Sequence, residues 1–180
     1  MLLSELTLPP TVQHVDDKLL ANGWAKIGDG YYATVYGKSG TSYVLKVFER
    51  DSAYVDFLKM IAQHPNPHFP KIRGRLRVTE AYHAVRMEKL FQIPQYGVGE
   101  EKVNVNGMMS AYLIDKSYRL NYFQKKNLVF FNEYIKENPR LIEALDLIHD
   151  NLLDHHSLDL NKDNVMQRGD GTPVIIDPIC

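Results

Sequence analysis

Three things are scarce in this sequence of 180 residues: cysteine, net charge and long apolar runs. The only cysteine is the last residue, Cys180, so an intramolecular disulfide is excluded and a reducing compartment, the cytoplasm, is expected. The formal net charge of −1 gives no overall attraction to nucleic acid or to anionic membranes, so neither is expected as a partner. The first residues lack a basic start and a long apolar stretch, so we expect no secretory signal and no membrane span.

The chain also lacks internal repeats, low-complexity tracts and a convincing linker. With 44% hydrophobic residues it can fold as one compact unit, and a chain of this length buries roughly 70% of its unfolded surface. Strand-like patterns are frequent in the first half, and helical patterns fill most of the second. We therefore expect a single domain over residues 1–180, of the α+β class.

The first fifty residues predict a helix followed by a β segment. Val12–Leu20 has the spacing of a short amphipathic helix, and Gly23 is expected to end it in a left-handed conformation. Trp24–Val35 and Ser42–Phe48 predict a β segment rich in hairpins.

A second helix is expected after the cap residues Asp51 and Ser52. Four apolar residues at i, i+3, i+4 and i+7 give it a stripe that would pack on a sheet. They are Tyr54, Phe57, Leu58 and Ile61. Two more strands are expected near Ile72–Val78 and Tyr82–Met87.

The second half predicts mainly helices. Gln92–Asn106 carries proline and glycine and is expected to be an irregular excursion or a hairpin, and Asn121–Ile135 to be a helix. The next helix would start at Asn138 and Pro139, because proline at the first helical position loses no hydrogen bond. Its buried face would consist of Leu141, Leu145, Ile148 and Leu152.

A glycine-rich stretch has the pattern G-x-G-x-x-A-x-V, with Gly28, Gly30, Ala33 and Val35 at its defined positions. Lys46 follows 18 residues after the first glycine, in the apolar run V-L-K. Glycine lets backbone N–H groups approach phosphate oxygens, because a side chain would hold them away. A loop of this kind followed by a lysine on a later strand predicts a nucleotide-binding site.

Three oxygen-bearing side chains occur near the C-terminus. Asn164 follows Asp159 by five residues, and Asp177 ends the apolar run Val174–Ile176. Gly169–Gly171 predicts a turn that would fold Asn164 and Asp177 together. An aspartate aimed at a hydroxyl, beside two ligands for magnesium, is typical of phosphoryl transfer. Asp159 is therefore the candidate catalytic residue.

In this order, the two motifs resemble the protein-kinase-like superfamily. A more specific likeness is to small phage-encoded serine/threonine kinases, through the strand Val44–Val47, the helix Ala53–Phe57 and the run Ile175–Pro178. The chain is also similar to the minimal effector kinases of bacterial pathogens, which share D-L-N-x-x-N and a reduced C-lobe. The likeness spans about residues 24 to 179 and rests on short motifs.

The resemblance implies a bilobal α+β fold. Its antiparallel N-lobe, with the N-terminal helix, would cover residues 1–88, and a truncated, mostly helical C-lobe would cover residues 89–180. ATP and Mg²⁺ would be the cofactors, with Asn164 and Asp177 as metal ligands and with Asp159 and Lys46 as catalytic residues. The implied nucleotide contacts are Gly28, Gly30, Ala33, Val35, Lys46 and the hinge residues Glu88 and Leu90.

The chain departs from the family at several positions. Ser157 and Leu158 stand where the family usually has histidine and arginine before the catalytic aspartate. Asn161 replaces a lysine that steadies the transferred phosphoryl group, and Lys162 is a possible substitute. Pro178 takes the place of the phenylalanine after the metal-binding aspartate, so the usual flip of that segment is not expected.

The carboxylate partner of Lys46 stays open at the sequence level. A buried ammonium group needs a partner. Asp56 is the obvious choice, but helical geometry places it opposite the apolar stripe. Asp51 is better aimed, but it is also the natural helix cap.

Two aromatic and two histidine residues have alternative interpretations. Tyr31 and Tyr32 would either shield the phosphates from water or be ordinary hairpin aromatics. His155 and His156 could form a metal pair or a base. Adjacent residues of an extended chain point to opposite sides, so one buried and one exposed histidine is favoured.

The basic run from Lys71 to Arg77 has a cation at every second position. It could bind phosphate or RNA, but a solvated strand face is favoured.

The function favoured by these motifs is a minimal serine/threonine protein kinase. By resemblance to the phage enzymes, its substrates would be host cytoplasmic proteins. No activation segment follows Asp177, so a protein substrate or partner is expected to dock on the reduced C-lobe. A pseudokinase that binds and inhibits a protein is the main alternative, and a small-molecule phosphotransferase is a third.

Overall fold

The structure is a computed structural model that describes residues 12–49, 52–79, 82–93, 105–117, 138–161 and 163–180. The chain divides into two compact units, Met1–Asp51 with Lys71–Lys89 and Ser52–Pro70 with Leu90–Cys180. The helix that starts at Ser52 thus belongs to the same unit as the C-terminal residues.

The first unit consists of one helix and a five-stranded antiparallel sheet with strand order β1-β2-β3-β5-β4. The elements are α1 (Val12–Ala21), β1 (Trp24–Asp29), β2 (Ala33–Lys38), β3 (Tyr43–Phe48), β4 (Arg77–Val78) and β5 (His83–Glu88). The predicted α+β class and the antiparallel N-terminal sheet are confirmed.

Helix α1 covers one face of this sheet. Val15 and Leu19 of the helix are fully buried against apolar residues of the strands. The strand residues are Trp24, Tyr36, Leu45, Val47, Tyr82 and Ala84. Gly23 ends the helix with φ of 77°, the left-handed conformation predicted for it.

A polar contact joins α1 to the sheet beside this core. The Asp16 carboxylate lies 2.7 Å from the Lys26 ammonium, and this contact raises the pKa of Lys26. Burial, followed by the charge of Asp16 and a hydrogen bond to it, raises the pKa of Tyr36 from 10.0 to about 12.

In the residues that the structure describes, the second unit contains three helices and a three-stranded sheet of order β6-β7-β8. Its elements are α2 (Ser52–Gln63), β6 (Phe91–Gln92), α3 (Val105–Ser117), α4 (Pro139–Leu152), β7 (Val165–Gln167) and β8 (Pro173–Ile175). Asn138 caps α4, since its Oδ1 accepts a hydrogen bond of 3.1 Å from the backbone of Leu141. The apolar faces predicted for α2 and α4 are buried.

One prediction about the elements is wrong. The strand expected over Ile72–Val78 is reduced to an isolated bridge at Ile72 and the two residues of β4. Gly74, with φ of 85°, bends the chain between them into a conformation incompatible with a strand. Most of the excursion or hairpin expected over Gln92–Asn106 lies outside the described residues, as does the helix expected over Asn121–Ile135. At its ends, Gln92 belongs to β6 and Asn106 to α3.

The β7–β8 hairpin is fixed to the loop that follows α2. The backbone of Ile175 donates to the carbonyl of His68 at 2.9 Å, and the His68 ring donates through Nδ1 to the Pro173 carbonyl at 2.7 Å. Arg168 donates to the carbonyls of Pro67 and Phe69. Because of these bonds, the hairpin holds a fixed position within its unit.

In the described parts of the chain, no helix is long and apolar enough to span a membrane.

Candidate functional site

The register of the first sheet aligns the glycine-rich stretch with the lysine. Gly28 pairs with Val35, Val35 with Lys46, and Lys46 with Val85. Directly opposed residues of antiparallel strands point to the same face. This row of four residues therefore shares one face, opposite the face that α1 covers.

The hairpin between β1 and β2 is tight and carries exposed aromatic rings. The backbone of Gly30 donates to the Ala33 carbonyl at 2.8 Å, which closes the turn. Tyr31 is 92% exposed and packs edge-on against Tyr32, with 4.6 Å between ring centroids. Rings in this position leave both interpretations of the tyrosines open.

Gly28 has space for a side chain in the free protein. A Cβ atom built on Gly28 would lie 3.6 Å from the Cβ of Val35, an ordinary van der Waals distance. It would project onto the face that carries Lys46. The glycine is therefore not required by packing in this structure.

Ile27 is a candidate contact that the sequence analysis did not single out. The pairing of β1 with β2 shifts between Lys26 and Gly28, so Ile27 is the extra residue of a β-bulge. Its side chain lies over Gly37, where a Cβ atom would be only 3.0 Å from the Ile27 Cδ1, and it is 55% exposed. A large exposed apolar residue on the face of Val35 suits contact with a planar base. The position of Ile27 directly before the first glycine of the motif is the sequence feature that could have indicated it.

Lys46 is buried in β3, with 8% of its surface exposed. Asp51, one of its two candidate partners, lies outside the described residues. The other, Asp56, belongs to the second unit, where it contacts Lys59 at 2.7 Å and His156 at 3.3 Å. The Lys59 hydrogen bond is the largest of the contacts that lower the pKa of Asp56. The partner of Lys46 stays open.

The predicted hinge residues lie at the end of β5 and directly after it. Glu88 ends β5, and its backbone donates to the carbonyl of Lys71 at 3.0 Å. The backbone of Lys89 donates to Ser42 at 3.1 Å. Leu90, half-buried, is the first residue of the second unit in this part of the chain.

In the second unit, Asp159 and Asn164 are in direct contact. The Asn164 amide nitrogen donates to the Asp159 carbonyl at 2.6 Å and lies 3.2 Å from its carboxylate. Because the nitrogen is committed to Asp159, the Oδ1 atom is the part of Asn164 left to meet a cation. The five-residue spacing noted in the sequence thus joins these two side chains.

Asp177 is held by the hydrogen bonds of its two neighbours. The backbone of Ile176 donates to the carbonyl of Asn164 at 2.9 Å, and the carbonyl of Pro178 accepts from the backbone of Asp159 at 2.8 Å. The β7–β8 hairpin, with its turn at residues 168–172, returns the chain to this point. The backbones that carry the three predicted residues are therefore hydrogen-bonded to one another.

Asn161 and Leu158, two residues that differ from the kinase motifs, also form contacts near the three predicted residues. Asn161 donates to the Asp159 carboxylate at 3.2 Å, and its own Oδ1 accepts from the backbone of Asp163 at 2.8 Å. Leu158 forms an isolated bridge with Ile179. Lys162, the possible substitute cation, lies outside the described residues.

The two adjacent histidines are not a matched pair. His155 is exposed, whereas His156 is half-buried and lies 3.3 Å from Asp56. The exposed ring is as predicted, whereas the second ring is half-buried and not buried as expected.

The donor atoms suit magnesium together with a nucleotide. Throughout the described residues, no group of three or more His, Cys, Asp or Glu side chains could hold a metal. Asn164 and Asp177 would offer an amide oxygen and a carboxylate, which are hard oxygen ligands. Mg²⁺ usually takes one or two such ligands and completes its shell with phosphates and water, so the pair fits the ion in a nucleotide complex.

Of the three comparisons with known proteins, the one with solved structures finds matches. No protein-family model matches the chain, and no curated protein matches it. One similar solved structure is titled "Crystal structure of Rad53 1-466 in complex with AMP-PNP", with 14% identity and a TM-score of 0.47. The match covers 92% of this chain and 41% of that chain, so this chain spans less than half of the neighbour's length.

Proposed function

We propose that the protein is an ATP- and Mg²⁺-dependent phosphotransferase, a minimal serine/threonine protein kinase that acts on host or partner proteins in the cytoplasm. The observation that carries the proposal is the contact between Asp159 and Asn164, with Asp177 held by hydrogen bonds of its neighbours to both. Forming turns does not by itself require three oxygen-bearing side chains on segments whose backbones are hydrogen-bonded to one another.

The first unit would hold the nucleotide. Backbone N–H groups of the loop from Gly28 to Ala33 would approach the phosphates, and the ammonium group of Lys46 would neutralise part of their charge. Val35 and Ile27 would contact the base from the same face of the sheet. Glu88 and Leu90 would supply backbone groups to the adenine edge.

The second unit would direct the acceptor hydroxyl. The Asp159 carboxylate, oriented by the amides of Asn161 and Asn164, would accept a hydrogen bond from the hydroxyl and take its proton. Asn164 Oδ1 and the Asp177 carboxylate would hold Mg²⁺. When bound, the ion neutralises charge on the phosphate oxygens. The protein substrate would dock on this C-terminal unit.

The test is transfer of labelled γ-phosphate from ATP, by wild type and by Asp159→Asn, to the protein itself and to proteins of a cell lysate. Loss of a positioned base predicts a rate that is lower by about a hundredfold to ten-thousandfold. Asp163→Asn is the matched control, because Asp163 is exposed in the same loop and has no role in the proposed chemistry. Equal labelling by wild type and Asp159→Asn would refute the proposal.

A pseudokinase that binds and inhibits a protein is favoured by one observation. Asn161 occupies the position of a phosphoryl-steadying lysine, and its side chain is engaged with Asp159 instead. A scaffold of this kind predicts that the biological effect survives Asp159→Asn, whereas a kinase predicts that the effect is lost with the labelling.

A further inference from the structure

One edge of the first sheet concentrates positive charge. Residues 71–89 contain six of the chain's 21 lysines and arginines but only two of its 22 acidic residues. Lys71, Arg73 and Arg75 are exposed, and so is Lys89. The chain as a whole has a formal charge of −1, so this concentration is a local property.

Two of these cations occupy directly opposed positions. Ile72 forms an antiparallel bridge with Met87, and the backbone of Arg73 donates to the carbonyl of Arg86 at 2.8 Å. This register sets Arg73 opposite Arg86 and Lys71 opposite Glu88. Opposed residues share a face, so Arg73 and Arg86 project to the same side of the sheet.

The opposed arginines are unfavourable in the free protein. Like charges directly opposite each other on antiparallel strands destabilise the pair. The Glu88 carboxylate accepts a hydrogen bond of 2.9 Å from the backbone of Lys71. Among the described residues no carboxylate forms an ion pair with Arg73 or Arg86. An anionic group that binds at this face would offset the repulsion.

We propose that this edge, made of Lys71, Arg73, Arg75 and Arg86, is a docking surface for an acidic segment of a protein partner. Guanidinium groups bind carboxylates through paired hydrogen bonds, so a group of exposed cations matches an acidic peptide. The proposal does not depend on phosphotransfer.

The aromatic residue beside this surface argues against single-stranded nucleic acid. Proteins that bind such strands combine cations with exposed rings on which bases stack. Tyr43 is the ring that adjoins Arg86, and the guanidinium group covers it at 4.7 Å from the ring centroid. A partner with negative charge but without bases therefore fits better.

The test is fluorescence anisotropy of a labelled oligoglutamate peptide, titrated with wild type, Arg73→Gln and Arg73→Glu. Loss of one charge-assisted contact predicts binding weaker by about fivefold to tenfold for Arg73→Gln, with a further loss for Arg73→Glu. Arg140→Gln is the matched control, because Arg140 is exposed, belongs to the other unit and is paired only with Glu143 at the surface. It should bind as wild type does.

A second measurement separates a binding role from misfolding. Removing the Arg73–Arg86 repulsion predicts that Arg73→Glu has a thermal midpoint equal to or above that of wild type while its peptide binding is lost. The proposal is overturned by wild-type protein that does not bind the peptide, by Arg73 variants that bind it as wild type does, or by tighter binding of an oligouridine of equal length. A lower midpoint for Arg73→Glu would contradict the repulsion between Arg73 and Arg86 and would overturn the proposal.

Discussion

At the scale of single residues, the candidate site depends on the orientation of amide groups. The side-chain amide nitrogen of Asn164 donates to the backbone carbonyl and to one carboxylate oxygen of Asp159. The side-chain amide nitrogen of Asn161 donates to the other carboxylate oxygen. Each oxygen of the proposed base thus accepts a hydrogen bond from a side-chain amide. The contact of Asn164 with Asp159 could be predicted from their spacing. The hydrogen bond from Asn161 could not, because the kinase motif indicates only that a lysine is missing at this position.

Asn164→Asp should convert this favourable contact into repulsion. The new carboxylate would lie close to that of Asp159, and like charges at this distance disfavour ionisation of both groups. We expect the free energy of unfolding, measured in urea at neutral pH, to fall by about 1–3 kcal/mol. Mildly acidic pH should recover part of this loss, because one carboxylate would then bind a proton. Asn151→Asp on the exposed face of α4 is the control and should lack the recovery.

Gly28→Ala should separate ligand binding from folding. The methyl group meets only ordinary contacts, so the urea midpoint should stay near that of wild type. Because this group projects onto the face of Lys46, MgATP affinity measured by calorimetry should fall. Gly169→Ala, where a Cβ atom meets nothing within 4 Å, is the control and should leave both quantities unchanged. Unchanged affinity in Gly28→Ala would remove the loop from the proposed site.

At the scale of elements, periodicity predicted three of the four described helices. It missed the fourth helix and overpredicted one strand. α1, α2 and α4 each bury one apolar stripe, which the sequence pattern indicates directly. α3 was missed because its buried residues Met109, Ala111 and Leu113 alternate along the sequence and do not form one helical stripe. The strand over Ile72–Val78 was overpredicted because alternation of side chains says nothing about the backbone of Gly74.

α3 also supports the loop that carries Asp159. Ser110 of this helix donates to the Leu160 carbonyl at 3.3 Å, and the Tyr112 hydroxyl donates to Asp146 of α4 at 2.8 Å. The element that sequence analysis missed is therefore one of those that position the site.

Tyr36, which lies in the core between α1 and the sheet, predicts that the stability of the protein falls at alkaline pH. Tyr36 has a folded pKa of about 12, above its unfolded value of 10.0, chiefly because it is buried. Its contribution is fully present below pH 10.0 and is lost as the pH rises through about 12. The free energy of unfolding in urea should fall over this range, and less steeply in Tyr36→Phe. Tyr31→Phe, at an exposed ring, should follow wild type, and a Tyr36→Phe profile identical to wild type would contradict this assignment.

At the scale of the whole molecule, the proposed chemistry draws on both units. Lys46 and the glycine-rich stretch belong to the first, whereas Asp159, Asn164 and Asp177 belong to the second. Sequence motifs predicted the residues within each unit. They could not identify the partner of Lys46 or the acceptor, because neither leaves a fixed spacing in the chain.

The most direct measurement is the rise in thermal midpoint that MgATP causes in wild type, Lys46→Met and Asp177→Asn. A ligand that binds only the folded state raises the midpoint in proportion to the logarithm of its concentration over Kd. If Lys46 and Asp177 each take part in binding MgATP, each substitution should reduce the rise, and Asp177→Asn should do so only when Mg²⁺ is present. A full rise in either variant, or no rise in wild type, would contradict the proposed function.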